Sequence, residues 1–279
     1  MATKQEVAKP PIGAMSIPEH LRGTGGRGLE GFDSTDIETP RLSLLQPTSP
    51  QVTDFDNARP GMFWHNTMNE PVGDPKAGFI GIICYINKRA ILWRQRPPVD
   101  VGGILARTDD MRVWNPSNVV FDDVKTKSGK TVVWKTRQSV AQSRLLEWGS
   151  ADPTDPKSPP AATLMHEYVL YFPDYPHLPP AVFTFQRSSL MVSKKLIGRL
   201  SYSQVAMHGL QFRFGSDLVD NGGNKYYIPT FEQAGYVEDA SVFAQCEVLH
   251  NTLKKSGLKV REEDAPDDET TIDADGPAY

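Results

Sequence analysis

The 279 residues are 39% hydrophobic with a mean hydropathy of −0.42 and 23 prolines, enough apolar material for one large domain or two small ones joined by long polar connections. No window approaches the roughly 20 apolar residues that span a bilayer, and the opening MATKQEVAKPPIGAMS lacks the apolar centre of a secretory leader, so neither a membrane protein nor an exported one is expected. The formal net charge of −4 hides an asymmetry: residues 262–279 hold eight acids and no base, which leaves 26 acids against 30 Lys plus Arg in the remainder.

Residues 1–35 are Pro-rich, then Gly-rich (RGTGGRGLEG), and read as a mobile arm that cannot bury enough surface to offset ordering. The Gly25-Gly26-Arg27-Gly28 run is no phosphate loop, because no strand precedes it and no helix follows. Residues 36–54 read as an extended segment packed along the domain edge. ARPGMFW at 58–64 predicts a Pro-Gly turn into a short aromatic strand, and 69–75 a further turn.

GFIGIICYINKRAILWRQR, at 78–96, is the most β-prone stretch. With Asn87-Lys88 as a tight turn it reads as a hairpin. One face then carries Ile80, Ile82, Cys84, Ile86, Ile91 and Trp93, and the other carries Phe79, Gly81, Ile83 and Tyr85 beside Ala90, Leu92, Arg94 and Arg96. A face mixing rings with guanidinium groups can stack bases and hold phosphates. The plainer alternative is a strand pair buried on both sides with its arginines at the rim.

Residues 121–138 predict a second hairpin with Ser128-Gly129 at its tip, studded with Lys125, Lys127, Lys130, Lys135 and Arg137. Its Ser-Gly-Lys-Thr at 128–131 imitates the end of a nucleotide-binding loop, but Val124 stands where the upstream glycine belongs, and a strand follows. A short helix is expected over 138–148 and an exposed, protease-sensitive loop over 150–160. Strands follow at 163–172 and 181–186. Residues 188–200 form an amphipathic helix with Leu190, Ile197 and Leu200 inward and Lys194, Lys195 and Arg199 towards solvent. Strands at 210–214 and 225–228 flank Asn221-Gly222-Gly223, and a closing helix spans 241–255.

A bent first hairpin with a helix between the third and fourth strands matches the order of an OB barrel. The expected fold is therefore mainly β with a few helices: an elaborated five-stranded OB-type barrel with long loops over 36–260, a flexible arm over 1–35 and a disordered acidic tail over 261–279. Basic–aromatic interleaving recurs at Trp93-Arg94, at Trp134-Lys135 with Arg137, and at Phe212-Arg213-Phe214. Stacking on such rings contributes about 1–3 kcal/mol per base whatever the sequence. Catalytic patterns are poor. The pairs Asp109-Asp110 and Asp122-Asp123 are of a kind that two-metal sites use, but such pairs more often hold turns. The six histidines lack ligand spacing, Cys84 and Cys246 form no ligand cluster, and no nucleophile motif occurs. No enzyme activity, metal or cofactor is expected.

GFDSTDIETPRLSLLQPTSPQVTD, then ARPGMFWHN, the central ILW, GGIL, FTFQRSSLMVSKKLIGRL, NKYYIP and the acidic tail ending in an aromatic residue resemble tailed-bacteriophage single-stranded DNA-binding proteins over most of residues 25–279. The resemblance implies an OB-type core that coats replication or recombination intermediates cooperatively in the host cytoplasm, and a tail that contacts partner enzymes. On the residues' own chemistry, Lys88, Arg89, Arg94, Arg96, Lys125, Lys127, Lys130, Lys135 and Arg137 are expected to hold phosphates, and Tyr85, Trp93 and Trp134 to stack bases. Lys194, Lys195, Arg199 and Arg213 rank second. In the tail, Asp267, Asp268, Glu269, Asp273, Asp275 and Tyr279 are expected to recruit a polymerase, helicase or nuclease. Self-association into a homo-oligomer is compatible with coating. The rival readings are a virion or scaffold protein and a metal-dependent DNA-processing enzyme built on the aspartate pairs.

Overall fold

The computed structural model describes residues 39–258, so the arm at 1–35 and the tail residues Asp267, Asp268, Glu269, Asp273, Asp275 and Tyr279 lie outside the described residues. The chain runs through β1 (Arg41–Leu44), α1 (Pro50–Asp54), β2 (Phe63–His65), β3 (Glu70–Val72), β4 (Phe79–Trp93) and β5 (Ile104–Thr108). It continues through β6 (Val119–Lys125), β7 (Thr131–Thr136), α2 (Val140–Ser143), β8 (Ala162–Tyr171), β9 (Ala181–Gln186) and α3 (Leu190–Ser201). The last elements are β10 (Leu210–Asn221), β11 (Asn224–Tyr236) and α4 (Ala240–Ser256). Among the described residues no helix is long and apolar enough to cross a membrane.

The expected central hairpin is a single 15-residue strand, β4. Asn87 and Lys88 make no turn; they stand opposite Glu167 and His166 of β8. Two-residue hairpin turns need positive φ at both central positions or take glycine at the first, and Asn-Lys supplies neither. Strand β8 pairs with β4 from Ile82 to Leu92, and the register shifts between Ile83 and Tyr85, so the strand bends at Cys84. The two-faced assignment made for a hairpin holds as far as Cys84, with Phe79 and Ile83 in one core and Ile82 and Cys84 in another. It fails beyond the bulge, where Ile86 joins Phe79 and Ile83 while Tyr85 turns to the α4 side.

The main sheet runs β11-β10-β4-β8-β9-β1-β2-β3, with β5 on the far half of β4. It curls into a half-barrel. An Asp74–Gly78 bridge returns the chain from β3 to β4, and the Gln46 side chain bonds the backbone N–H and C=O of Tyr227 on β11. Segment 36–54 is not an edge: β1 lies between β2 and a parallel neighbour, β9. Residues 69–75 likewise hold β3 and not only a turn.

Inside the curl, Phe63, Phe79, Tyr168, Phe172, Phe183, Phe185, Phe212 and Phe214 form the main core. Gly81 admits the Phe214 ring, which an added Cβ would meet at 3.0 Å. Helix α3 closes one end through Leu196, with Val192 and Leu200 half-buried beside it. Ile197 lies at the exposed border of the buried stripe, which runs through Val192, Ser193, Leu196 and Leu200, with Ser193 bonded to His166 and to the Tyr168 hydroxyl. On the opposite sheet face α4 packs Cys246, Leu249 and Leu253 over Cys84, Tyr85, Val169 and Val182. The two cysteines thus meet across β4 and α4, and a hydrogen bond to Cys246, with burial second, raises the pKa of the Cys84 thiol.

Between β4 and β8 the chain builds a second core from Trp114, Val124, Val132, Trp134, Val140 and Leu145, covering Ala90 and Leu92. The β6–β7 hairpin forms as expected, with Gly129 at φ 79° in its tip. The helix expected over 138–148 shrinks to four residues. Loop 150–160 is tied at its ends: Gly149 N–H donates to Ser158 O at 2.7 Å and Ala151 N–H to Pro159 O at 3.1 Å, while Asp152 and Ser158 are buried. Only its middle, 153–157, is open to a protease.

Candidate nucleic-acid interface

Several residues expected to face a nucleic acid do not. Arg89 is buried, with Nε 2.6 Å from Glu167 Oε1, and Asn87 Nδ2 donates to the other carboxylate oxygen at 3.1 Å. The cause lies in register: positions 87 and 89 project on one face of β4, Asn87 directly across from Glu167 on β8 and Arg89 diagonal to it, opposite Met165. Burial raises the Glu167 carboxyl above its ordinary range, and Arg89, Asn87 and Arg41 oppose that shift. Trp134 is buried in the second core, its indole N–H donating to Ser150 O at 3.1 Å. Trp93 is half-buried at the end of β4, and Tyr85 lies against His250 of α4 with ring centroids 6.2 Å apart.

Carboxylates occupy three further cations. Arg94 holds Asp123 at 2.6 Å and Asp100 at 3.4 Å, tying the β6–β7 hairpin to the end of β4. Lys130 reaches Asp152 at 3.4 Å. Arg213 pairs across the strand with Glu232 at 3.1 Å and donates to Ala77 O. Arg96 and Lys127 are exposed and each has a partner.

What remains exposed, with no ion pair among the described residues, falls into two groups. The first centres on α3. Lys88 stands on the β4 face between Ile86 of the main core and Ala90 of the second. Lys88 and Lys194 both act on the buried His166, whose pKa is lowered by burial first and then by these two charges. Lys195, Arg199 and Tyr202 follow at helical spacing on one face of α3, and the Tyr202 ring is 90% exposed. The second group is the hairpin. Strand β7 alternates, burying Val132, Trp134 and Thr136 and turning Val133 and Lys135 outward. Lys135 and Arg137 border an open groove of about 610 Å³ that Asn118, Gln138 and Gln142 also line. Lys125 is exposed further along β6.

The exposed rings missed from sequence are Tyr202, Trp148 and Tyr236, the last two 58% and 61% exposed. Tyr202 follows two cations by seven and three residues on a helix, a signal visible in the sequence; nothing local distinguishes Trp148 from the buried tryptophans. The aspartate pairs hold structure. Asp110 Oδ1 accepts from Arg112 N–H at 2.8 Å and its carboxyl is held below the ordinary range mainly by that bond, while Asp123 is paired with Arg94. Among the described residues no group of His, Cys, Asp and Glu is arranged to hold a metal ion.

No curated protein and no solved structure matches the chain. A family model described as Pam3 phage gp34-like protein matches residues 12–259, which include all the described residues, and the chain therefore belongs to this bacteriophage protein family.

Proposed function

We propose that the chain is a non-enzymatic single-stranded DNA-binding protein that coats and protects single strands during phage DNA replication or recombination. The observation that carries this reading is the sorting of cations: carboxylates neutralise Arg89, Arg94, Lys130 and Arg213, whereas Lys88, Lys194, Lys195 and Arg199 with Tyr202, and Lys135 with Arg137, stay exposed in two groups. Phosphate neutralisation plus an exposed ring is the chemistry of sequence-tolerant single-strand binding.

The strand order supports an OB-type core within this reading. Strands β4, β8 and β9 form an antiparallel meander, α3 follows, and β10 and β11 return to the other side of β4, with β1 filling the position beside β9. OB barrels bind oligonucleotides on the face of their second and third strands and on neighbouring loops. Here α4 covers that face through Leu249 and Leu253, so binding falls to the β6–β7 insertion between the first two strands of the meander and to the α3 surface. The acidic tail, in the same reading, regulates binding and recruits replication or recombination enzymes, and copies of the chain associate on the strand.

A salt titration against a single strand and the matching duplex in parallel tests the proposal. Single strands should bind more tightly, with log affinity falling against log salt by about 0.7 per phosphate contacted. Equal affinity for duplex, or affinity independent of salt, would overturn it, and no binding at all would leave the virion or scaffold role.

A further inference from the structure

We propose that the groove at the base of the β6–β7 hairpin is a nucleotide subsite in which Lys135 and Arg137 hold a phosphodiester and the amides of Gln138, Gln142 and Asn118 bond the edge of an unpaired base. The inference rests on the single-strand reading and adds to it a base preference that stacking alone does not supply. The groove has a volume of about 610 Å³. Neither a carboxylate nor an aromatic ring lines it, so it attracts an anion but offers no face for stacking. These five polar side chains and that of Ser117, which also lines the groove, are exposed, and among the described residues none of the three amides spends its side chain on a hydrogen bond.

The chemistry of the lining selects the ligand. A free inorganic anion needs only the two cations. The amides add a donor beside an acceptor, which is the pattern an unpaired base presents on its edge. Adenine presents such a pair twice, at N1 with N6 and at N7 with N6, and bidentate pairing with Asn or Gln is its characteristic contact. The neighbouring valines, Val119 and Val120, supply an apolar wall for the sugar. The site thus reads one nucleotide of a strand held elsewhere by charge and by Tyr202.

Fluorescence anisotropy with the full chain tests this on oligo(dA), oligo(dT), oligo(dC) and an abasic oligomer of equal length. Oligo(dA) should bind about fivefold or more tightly than the abasic oligomer, the lower end of what one bidentate base contact discriminates. The double variant Gln138→Ala/Gln142→Ala should level oligo(dA) with the pyrimidine oligomers while leaving the salt slope unchanged. Comparing variant with parent on the same oligomer removes the self-stacking of oligo(dA) from the result. Lys135→Ala/Arg137→Ala should instead lower the salt slope by about 1.4. Should the glutamine pair fail to fold, Gln142→Ala alone, whose side chain is exposed, carries the same comparison. If the parent binds every homopolymer equally and the glutamine variant is indistinguishable from it, the subsite is overturned while single-strand binding stands. If the parent binds no single strand, the functional reading itself falls and takes the subsite with it.

Discussion

At Arg89 a cation that reads as a phosphate ligand is instead part of the interior. Its side chain and that of Glu167 are 4% and 0% exposed, and the two lie 2.6 Å apart. Removing two charges from water costs several kcal/mol for each ion, and mutual attraction offsets this only when further bonds satisfy the pair. Asn87 supplies one such bond, and Arg41, also buried, adds a second positive charge nearby. Arg89→Ala leaves the carboxylate with a weaker counter-charge, and a loss of about 3–5 kcal/mol is the ordinary consequence. Because Arg41 stays, the lower end is expected, read as a reduced urea midpoint at unchanged slope. Single-strand affinity of the folded protein should be unaffected. A variant of full stability with weakened DNA binding would return Arg89 to the interface.

At the scale of elements, much of the fold was legible where local chemistry decides it. The β6–β7 hairpin, β9, α3, α4 and the Gly222-Gly223 turn all lie where composition and periodicity place them, the last with φ of 61° and 96° that glycine adopts without strain. What was not legible depends on distant partners. Residues 79–93 become one strand because β8, some 80 positions later, pairs along it, and no window around Asn87 contains that information. The inward face of α3 depends on distant partners too: the buried stripe takes in Ser193, bonded to His166 and Tyr168, and leaves Ile197 at its exposed border. Site residues divide likewise. The lysines of α3 were read as polar and are so, whereas the fate of Arg89, Arg94 and Trp134 was fixed by acids and cores remote in sequence. This sorting makes α3 the element to test. Lys194→Ala, Lys195→Ala and Arg199→Ala combined should lower the salt slope by about 2, at roughly 0.7 per lost phosphate contact. Thermal stability should be nearly unchanged, since the helix is held by Leu196, Val192 and Leu200. Affinity that survives intact would reduce α3 to a barrel plug with a solvated face.

For the whole molecule, the balance of charge sets up a competition. The eight acids at 262–279 face a remainder with 30 cations and 26 acids, and the described ion pairs consume Arg94, Lys130, Arg144 and Arg213 locally. Exposed cations without an ion pair among the described residues also lie elsewhere, Lys76, Lys225, Lys254 and Lys255 among them. On α3 and the hairpin they stand beside an exposed ring or a groove, and there a polyanion of either kind, phosphodiester or carboxylate, meets the same cations. A tethered segment can reach an effective concentration of about a millimolar, so even weak carboxylate contacts compete with DNA when salt is low. In the proposed reading, DNA that displaces the tail also releases Asp267 to Tyr279 for a partner enzyme. Truncation after Val260 should tighten single-strand binding at low salt. The gain should shrink as salt rises, because screening weakens the tail's hold along with that of DNA. The full chain should accordingly show the shallower salt slope of the two, since part of each added increment of salt goes into freeing its own cations. A truncated chain that binds more weakly would mean that the tail assists binding, and a gain independent of salt would mean that it acts by something other than charge.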